Sequence, residues 1–468
     1  MRSLFQQKDN DFTQGPLFGR ILIYAIPLML SGILQLLYNA ADSIVVGHYC
    51  GTESLAAVGS TGAMITLTVN LFLGLAVGVK VMVAQGIGAH RPRDVYETVH
   101  TAVLVSVLVG IAVGVFGFFS ARQLLIWMSS PDDVLDLATL YMKIYFIGMP
   151  ANLLYNFGSS ILQAAGDTKR PLYILFASGI VNVVLNLVLV ICFQMNVAGV
   201  AIATIVSQLL SAIGVLLCLV RTPDVYQVYL RELRIYPAKL WEMTKLGLPA
   251  GLQGSIFSIS NIMIQSSINL FGSKAMAGNS AAGNLDGFIY QSMVALYHAA
   301  ITFTGQNVGA HKYERIGKIT RACLIMVTAV GVGMGALVFA LHQPLLHIYS
   351  KDAEVLSYGT LRLEVMCATY FLCGCMDVMC GQLRGMGKST VPMVVSILGV
   401  CGIRMVWIWT VFQWEHNLTC LYLSYTFSWA ATALAHFICY IIIKHRLLKQ
   451  SALNGAGAEP QAASSTGT

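Results

Sequence analysis

The stretch GQLRGMGKST, Gly381 to Thr390, ends in Gly387, Lys388 and Ser389 and invites reading as a phosphate-cradling loop. Such a loop needs four residues between its first glycine and the Gly-Lys-Ser/Thr, so that backbone N–H groups wrap the phosphates. Gln382 stands where that glycine should be, Gly381 is one place too early, and no strand pattern precedes it. The stretch has a counterpart elsewhere in the chain. AAGDTKRP (Ala164–Pro171) falls on RGMGKSTVP (Arg384–Pro392), with Gly166 on Gly387, Thr168 on Ser389 and Pro171 on Pro392, all at an offset of 221. The pair shares a glycine to turn the chain, a hydroxyl to cap the next helix and a proline to start it. GMGKST therefore reads as the second copy of a turn between helices, and ATP is not expected as a partner.

The duplication runs through the whole chain. AQGIGAHR (Ala84–Arg91) returns as GQNVGAHK (Gly305–Lys312), and Leu124 returns as Leu345, both at 221; Pro27 and Asn39 match Pro249 and Asn261 at 222. A repeat this long is a fold-level unit. The three expected segments are an N-terminal half over 1–221, a C-terminal half with its preceding connector over 222–448, and a small, polar, disordered tail over 449–468.

Composition places both halves in a bilayer. The 468 residues are 56% hydrophobic and 10% charged, with a mean hydropathy of +0.71, against about 25% charged in ordinary soluble proteins. A span needs about 20 mainly apolar residues, and twelve such runs are readable: roughly 17–46, 56–84, 95–119, 137–164, 172–193 and 197–220, then 241–271, 276–304, 319–341, 355–383, 393–412 and 418–443. Their lengths suit tilted helices, not barrel strands. The fold class is thus all-α integral membrane, with six spans per repeat. An even number leaves both copies facing the same way, related by a pseudo-two-fold axis along the membrane normal.

The net charge of +7 points to topology, not to nucleic acid. With the N-terminus inside, 21 of the 28 Lys and Arg residues fall on the inner side, and only Arg122, Lys274, Lys351 and Arg362 on the outer. That bias predicts an even number of spans with both termini on the cytoplasmic side. Lys80, Lys143 and Arg404 fall within spans, the first two close enough to the ends to snorkel. In the outer connection SSPDDVLD, Ser130 reads as an N-cap, Pro131 as the first helical residue, and Asp132 and Asp133 as the first turn. The 11 cysteines are odd in number and lie mostly in apolar runs, so no disulfide framework is implied.

Polar residues recur inside the spans at helical spacing. Ser31, Gln35, Tyr38, Asn39 and Asp42 share one face of the first span; Ser178, Asn182 and Asn186 share a face of the fifth; Thr204 and Gln208 lie on the sixth; Ser258, Asn261, Gln265 and Asn269 follow on the seventh. Hydrogen bonding between helices accounts for any one of these. Their concentration in the first six spans points to a polar pocket there. Asp42 stands out, because a carboxylate within a span costs about 2.5 to 3.5 kcal/mol and needs a partner, a proton or a cation. With Asn182, Asn186 and Thr204 it forms a candidate ion-coupling set for H+ or Na+. Gln35, Tyr38, Asn39, Asn261, Gln265, Asp286 and Asp377 are candidate cavity residues. Glu364 is a further intramembrane anion, and Arg404 needs a carboxylate or backbone carbonyls as its partner. His298 and His436 read as structural histidines.

At these residues the chain resembles the MATE (multidrug and toxic-compound extrusion) family, in its DinF-like bacterial branch. The likeness rests on PLMLSGILQLLYNAADSIVVG with LAAVG following, the paired QGIGAHR and QNVGAHK, and LQAAGDTKRP with QLRGMGKST. It covers nearly the whole chain. The resemblance implies an antiporter that exports cationic, amphipathic, drug-like compounds in exchange for H+ or Na+; separately, a monomer with no cofactor is expected. It also implies that Asp42, Asn182 and Thr204 belong to a cation site, and that the first helix bends near Pro27, with Pro249 as its equivalent. Asn186 stands where the branch often has a second aspartate, and the glutamate that other branches carry in the seventh span is missing. A lipid-linked precursor flippase of the same broad fold is the nearest alternative, with a membrane enzyme further off; a flippase would need a more cationic central cavity.

Overall fold

Thirteen helices account for the twelve expected spans. The computed structural model describes residues 11–128 and 132–456. The expected cap at Ser130 and Pro131 lies outside the described residues, as do 1–10 and 457–468. The first half holds α1 (Leu17–Tyr49), α2 (Thr52–Gly88), α3 (Pro92–Trp127), α4 (Asp132–Ile147), α5 (Met149–Ala164), α6 (Lys169–Leu187) and α7 (Asn196–Arg221). The second holds α8 (Pro237–Asn269), α9 (Ser273–Gly309), α10 (Tyr313–Ala340), α11 (Ala353–Gly385), α12 (Thr390–Ser396) and α13 (Leu418–Ala456). Wider π-turns continue α6 through Val188–Cys192, and α12 through Ile397–Gly402 into Ile403–Trp409. Since α13 runs to Ala456, the tail expected to begin at residue 449 is helical over its first eight positions.

Nine of these helices are long and apolar enough to cross a membrane, and α4 with α5, bent by 48° between them, makes a tenth span. The remaining two rods, α8 and α9, have the length, at 33 and 37 residues, but not the hydropathy. Their sequences, such as AGNSAAGNLDG in α9, are rich in Gly, Ser and Asn; α9 packs against protein along much of its length, while α8 keeps an exposed apolar face at Leu248, Leu252 and Ile259. Buried on α9 are Asn279, Asp286, Ser292, Thr302 and Thr304. Lipid instead meets outer faces carrying exposed Phe116, Ile180, Leu398 and Leu434.

The backbone repeats with the sequence. His90 and His311 both take positive φ, at 52° and 57°, as do Gly166 and Gly387, at 90° and 76°; each pair is 221 apart. At Gly387 the reason is a helix-ending motif. Its N–H donates to Arg384 O at 2.8 Å and that of Lys388 to Leu383 O at 3.0 Å, and the N–H groups of Gly166 and Asp167 do the same to Gln163 and Leu162. This is the paired bonding of a Schellman turn with its left-handed glycine. The amides of Met386, Gly387 and Lys388 are therefore already committed to ending α11.

Each half folds into a lobe with its own core. Val113, Leu125, Met142, Phe146 and Leu153 pack in the first; Ile264, Met366, Phe412, Tyr422 and Trp429 pack in the second. The lobes meet through α2 against α8 and α9. At the face carrying the basic loops, the C-terminal ends of α2 and α9 cross about the pseudo-two-fold with matching small residues. An added Cβ on Gly88 would stand 1.9 Å from Gln306 O, and one on Gly309 2.0 Å from Gln85 O, while Gly305 faces Ala84. Gly74 against Gly251 and Gly78 against Gly247 extend the contact up α8. Such small-xxx-small patterns let helix backbones approach closely in a membrane. Toward the opposite face the lobes diverge, and Gly59 and Gly62 on α2 have nothing within 4 Å of a Cβ position.

A strap ahead of α1 covers the seam on the basic face. Phe12 is buried and stacks on Phe303 of α9, with ring centroids 4.0 Å apart. Its N–H donates to Gln306 Oε1 at 3.1 Å, and its carbonyl accepts from Asn307 Nδ2 at 3.1 Å. Lys312 and Arg315 hold the carbonyls of Thr13 and Gly15. The N-terminal strap is thus anchored on the C-terminal lobe.

Candidate functional site in the N-terminal lobe

The sequence of α1 builds one wall of a polar cavity. Pro27 within the helix removes one backbone donor and frees the carbonyl of Ile23, and Ser31 bonds back to Pro27 O at 2.9 Å. Above this weak point, Gln35, Tyr38, Asn39 and Asp42 come at the spacing of one face and turn toward α6 and α7. The cavity between them has a volume of about 240 Å³ and is lined by those four residues together with Asn182 and Thr204. Asn152 and Asn156 of α5, Tyr145 of α4 and Gln208 of α7 also line it. That is below the roughly 300 Å³ of small drug pockets, so the space suits an ion with its waters or one end of a substrate.

Asp42 is held from the side by Asn186, which is fully buried and donates its amide to the carboxylate. Asn186 also leans on Asn182 Oδ1 at 3.4 Å. Its own Oδ1 is buried with no donor. Thr204 gives its hydroxyl proton to Val200 O at 2.9 Å, which leaves the oxygen's lone pairs free to face the cavity. Of the four residues, Asp42, Asn182 and Thr204 face the cavity with a carboxylate, an amide and a hydroxyl, while Asn186 stands behind them and braces the first two. Those residues fit a hard monovalent cation, and the same carboxylate fits a proton.

The wall depends on a residue the sequence reading passed over. Tyr38 donates to Phe176 O at 3.3 Å and lies flat against Gly179, where a Cβ would stand 1.8 Å from the ring. A Gly179→Val substitution is expected to expel Tyr38 and part α1 from α6, lowering thermal stability by about 1–3 kcal/mol. Thermal unfolding of the purified protein checks this; an unchanged melting temperature would show that Tyr38 does not depend on the space at Gly179. Asn152 and Asn156 were also missed. Their signal, two amides spaced i, i+4 inside a span, is the one that found Asn182 and Asn186.

The remaining candidates do not join this cavity. Asp286 pairs with Arg362 at 2.8 Å inside the C-terminal lobe, so Arg362 is not an outer-loop charge. Arg362 continues to Asn279, which bonds Gln265 Oε1 at 3.0 Å. Arg404 takes no carboxylate: it donates to Ser428 at 3.1 Å and Asn261 at 3.3 Å and lies over Tyr425. A hydroxyl, an amide and an aromatic ring thus stand in place of the carboxylate or backbone carbonyls expected from the sequence. Glu364 is exposed on α11. Lys80 does not snorkel; it is 1% exposed. Arg384, expected on the inner loop, is buried beside Tyr297, Gln253 and the field of Asp377.

Twelve membrane rods in two pseudo-symmetric lobes, closed on each other at one face and parted at the other, with a polar cavity inside one lobe, define a membrane transporter. The MatE family model matches residues 27–188 and again 249–410, and the chain belongs to that family of transporters. The two matches begin at Pro27 and Pro249, one repeat apart. Among its relatives are two probable multidrug resistance proteins of Bacillus subtilis (strain 168). YoeA is 25% identical over 390 residues, covering 82% of this chain and 84% of that protein. YpnP is 26% identical over 401 residues, covering 85% and 89%. The solved outward-facing structure of a multidrug resistance MATE family transporter superposes with a TM-score of 0.86 at 20% identity, covering 94% of this chain and 98% of that one.

Proposed function

We propose that the protein is a secondary antiporter of a bacterial cytoplasmic membrane, exporting cationic, amphipathic, drug-like compounds in exchange for H+ or Na+. It works as a monomer with both termini inside, by alternating access. The observation that carries this reading is Asp42: a single carboxylate in the wall of the N-terminal lobe's cavity, braced by Asn186 and surrounded by uncharged oxygens. A lone intramembrane carboxylate with no cationic partner is suited to a proton or a monovalent cation. The multidrug resistance names of YoeA and YpnP support the substrate class. Closure at the basic face and divergence opposite it support a cleft that changes sides, since the small-residue crossing of α2 and α9 can part without unpairing backbone. The inside basic loops orient the closed face to the cytoplasm.

Energy is sufficient. One pH unit supplies about 1.4 kcal/mol and 100 mV about 2.3 kcal/mol per charge. The deciding experiment follows a fluorescent organic cation in proteoliposomes, with a pH gradient and a Na+ gradient imposed separately. Movement driven by one gradient supports the reading and identifies the ion. Movement driven by neither, in protein shown to be folded, overturns it.

A further inference from the structure

We infer that Arg404, in the C-terminal wall of the cleft, binds a carboxylate carried by the cargo, so that zwitterionic amphipathic compounds are the preferred class; the assignment to cargo rests on the export reading above. Three arginines are withdrawn into this lobe. Arg362 has Asp286 at 2.8 Å, and Arg384 lies in the field of Asp377. Arg404 is 4% exposed and has no carboxylate partner among the described residues. Its Nε donates to Ser428 and its Nη1 to Asn261, while Nη2 makes no hydrogen bond to any described residue. The guanidinium lies 4.1 Å from the ring centre of Tyr425 and 5.8 Å from that of Trp429. The rings offset part of the cost of burying the charge, but the planar fork that fits a carboxylate at two points is left unfilled.

The repeat puts this guanidinium where the first lobe has its cavity. At an offset of 221, Tyr425, Ser428 and Trp429 fall on Thr204, Ser207 and Gln208, and at 222 Asn261 falls on Asn39. All four of those N-terminal residues line the cavity beside Asp42. Asp42 itself falls on Ile264, which is buried and apolar. The second lobe thus keeps the place, loses the carboxylate and gains a fixed cation. A guanidinium stays charged at any physiological pH, so this wall repels the driving cation and attracts an anion at every stage of the cycle.

Access is from the cleft. Asn261 is exposed, and on α8 it shares a face with Gly254, two turns earlier. A Cβ placed on Gly254 would stand 3.5 Å from Asn70 of α2, so that face looks toward the other lobe. The exposed apolar residues Leu252 and Ile259 lie on a different face of the helix. From Gly254 to Asn261 the helix advances about 10 Å, toward the side where the lobes part. Asn261 therefore covers Arg404 on the open side, and its bond, at 3.3 Å, is the longer of the two. A carboxylate arriving from the cleft displaces the Asn261 oxygen and takes Nη1 and Nη2 together, while Ser428 keeps Nε in place. Forked, charge-assisted bonds of this kind are stronger than the single bond to an amide. The opposite wall carries Asp42, so a compound with a cationic nitrogen at one end and a carboxylate at the other meets matching charge on both sides.

Equilibrium binding to the whole chain in lipid nanodiscs tests this, read as the fluorescence anisotropy of two probes at about pH 7.5, where a carboxylate is ionised. One probe is a rhodamine with a free benzoate, which carries both charges; the other is its methyl ester, which keeps the cation alone. Wild type is expected to bind the free acid about tenfold more tightly than the ester. Arg404→Gln, neutral and still able to bond Ser428, is expected to bring the two probes to equal affinity. Asn261→Ala, at an exposed position, uncovers Nη1 and is expected to strengthen the acid relative to the ester about threefold further. An acid that binds wild type no more tightly than the ester, or a preference that survives in Arg404→Gln, overturns the site. Should Arg404→Gln fail to fold, Asn261→Ala decides: no gain for the acid overturns the site as well. Binding does not require movement. An acid preference that depends on Arg404, in protein that moves neither probe under either gradient, counts against export and leaves the site standing, whereas uphill movement of the ester with no preference for the acid does the reverse.

Discussion

Replacing Asp42 by Asn is expected to abolish uphill export while leaving the protein folded and able to exchange substrate downhill. The two side chains have nearly the same shape, and an asparagine oxygen still accepts from Asn186, so no buried donor is stranded. What disappears is the only acidic or basic side chain among the described residues that line the cavity. Without it, binding of the driving ion no longer differs between the two faces, and the gradient contributes nothing. In vesicles with a one-unit pH gradient or an equivalent Na+ gradient, the steady-state ratio of a fluorescent cation should fall from about tenfold to unity. Equilibrium exchange of the same probe should continue. Uphill export at the wild-type level would remove Asp42 from coupling altogether.

The second large effect is expected at the crossing of α2 and α9. Gly88→Ala, or its repeat equivalent Gly309→Ala, places a methyl group about where the partner's backbone oxygen stands, 1.9 Å and 2.0 Å away. Backbone in a packed helix does not yield as a side chain does, so the cost should meet or exceed the roughly 1–3 kcal/mol of ordinary overpacking. At about 1.4 kcal/mol per tenfold, the closed basic face becomes about five- to a hundredfold rarer, or more. Export should drop accordingly, and the strap amide of Phe12 should exchange faster, because its acceptor Gln306 belongs to the displaced helix end. Gly59→Ala on the same helix is the control: open space surrounds it, and both transport and exchange should stay near wild type. Equal behaviour of Gly88→Ala and Gly59→Ala would show that the crossing does not gate.

Much of the candidate site was legible because its residues obey helical spacing. Gln35, Tyr38, Asn39 and Asp42 fall on one face of a single helix, and Asn182 and Asn186 on one face of another, so each set could be found without knowing where the helices pack. That the two faces meet follows from Gly179, whose missing side chain admits Tyr38, and a lone glycine in a glycine-rich chain gives no such notice. The charges were read less well. Lys80 near the end of a long span looks like a snorkelling lysine, Arg384 next to a turn looks like a loop cation, and Arg362 near a helix start looks like an outer one. Each is withdrawn from water by a helix of the other repeat or by a neighbour distant in sequence, which no local pattern records.

The division has a physical cause. Covalent spacing and transfer free energy act along the chain, so the amino-acid sequence alone determined the twelve spans, the duplicated six-helix plan, the helix-ending turns at Gly166 and Gly387, and the intramembrane carboxylate. Burial between elements acts across the chain. Only the tertiary structure decided where the polar residues of α9 are buried, that the repeats cross at Gly88 and Gly309, and that Lys80 and His298, 218 residues apart, share one hydrogen bond. Those facts depend on which surfaces meet when two lobes close on each other, and the free energy of that meeting belongs to pairs of helices, not to either one.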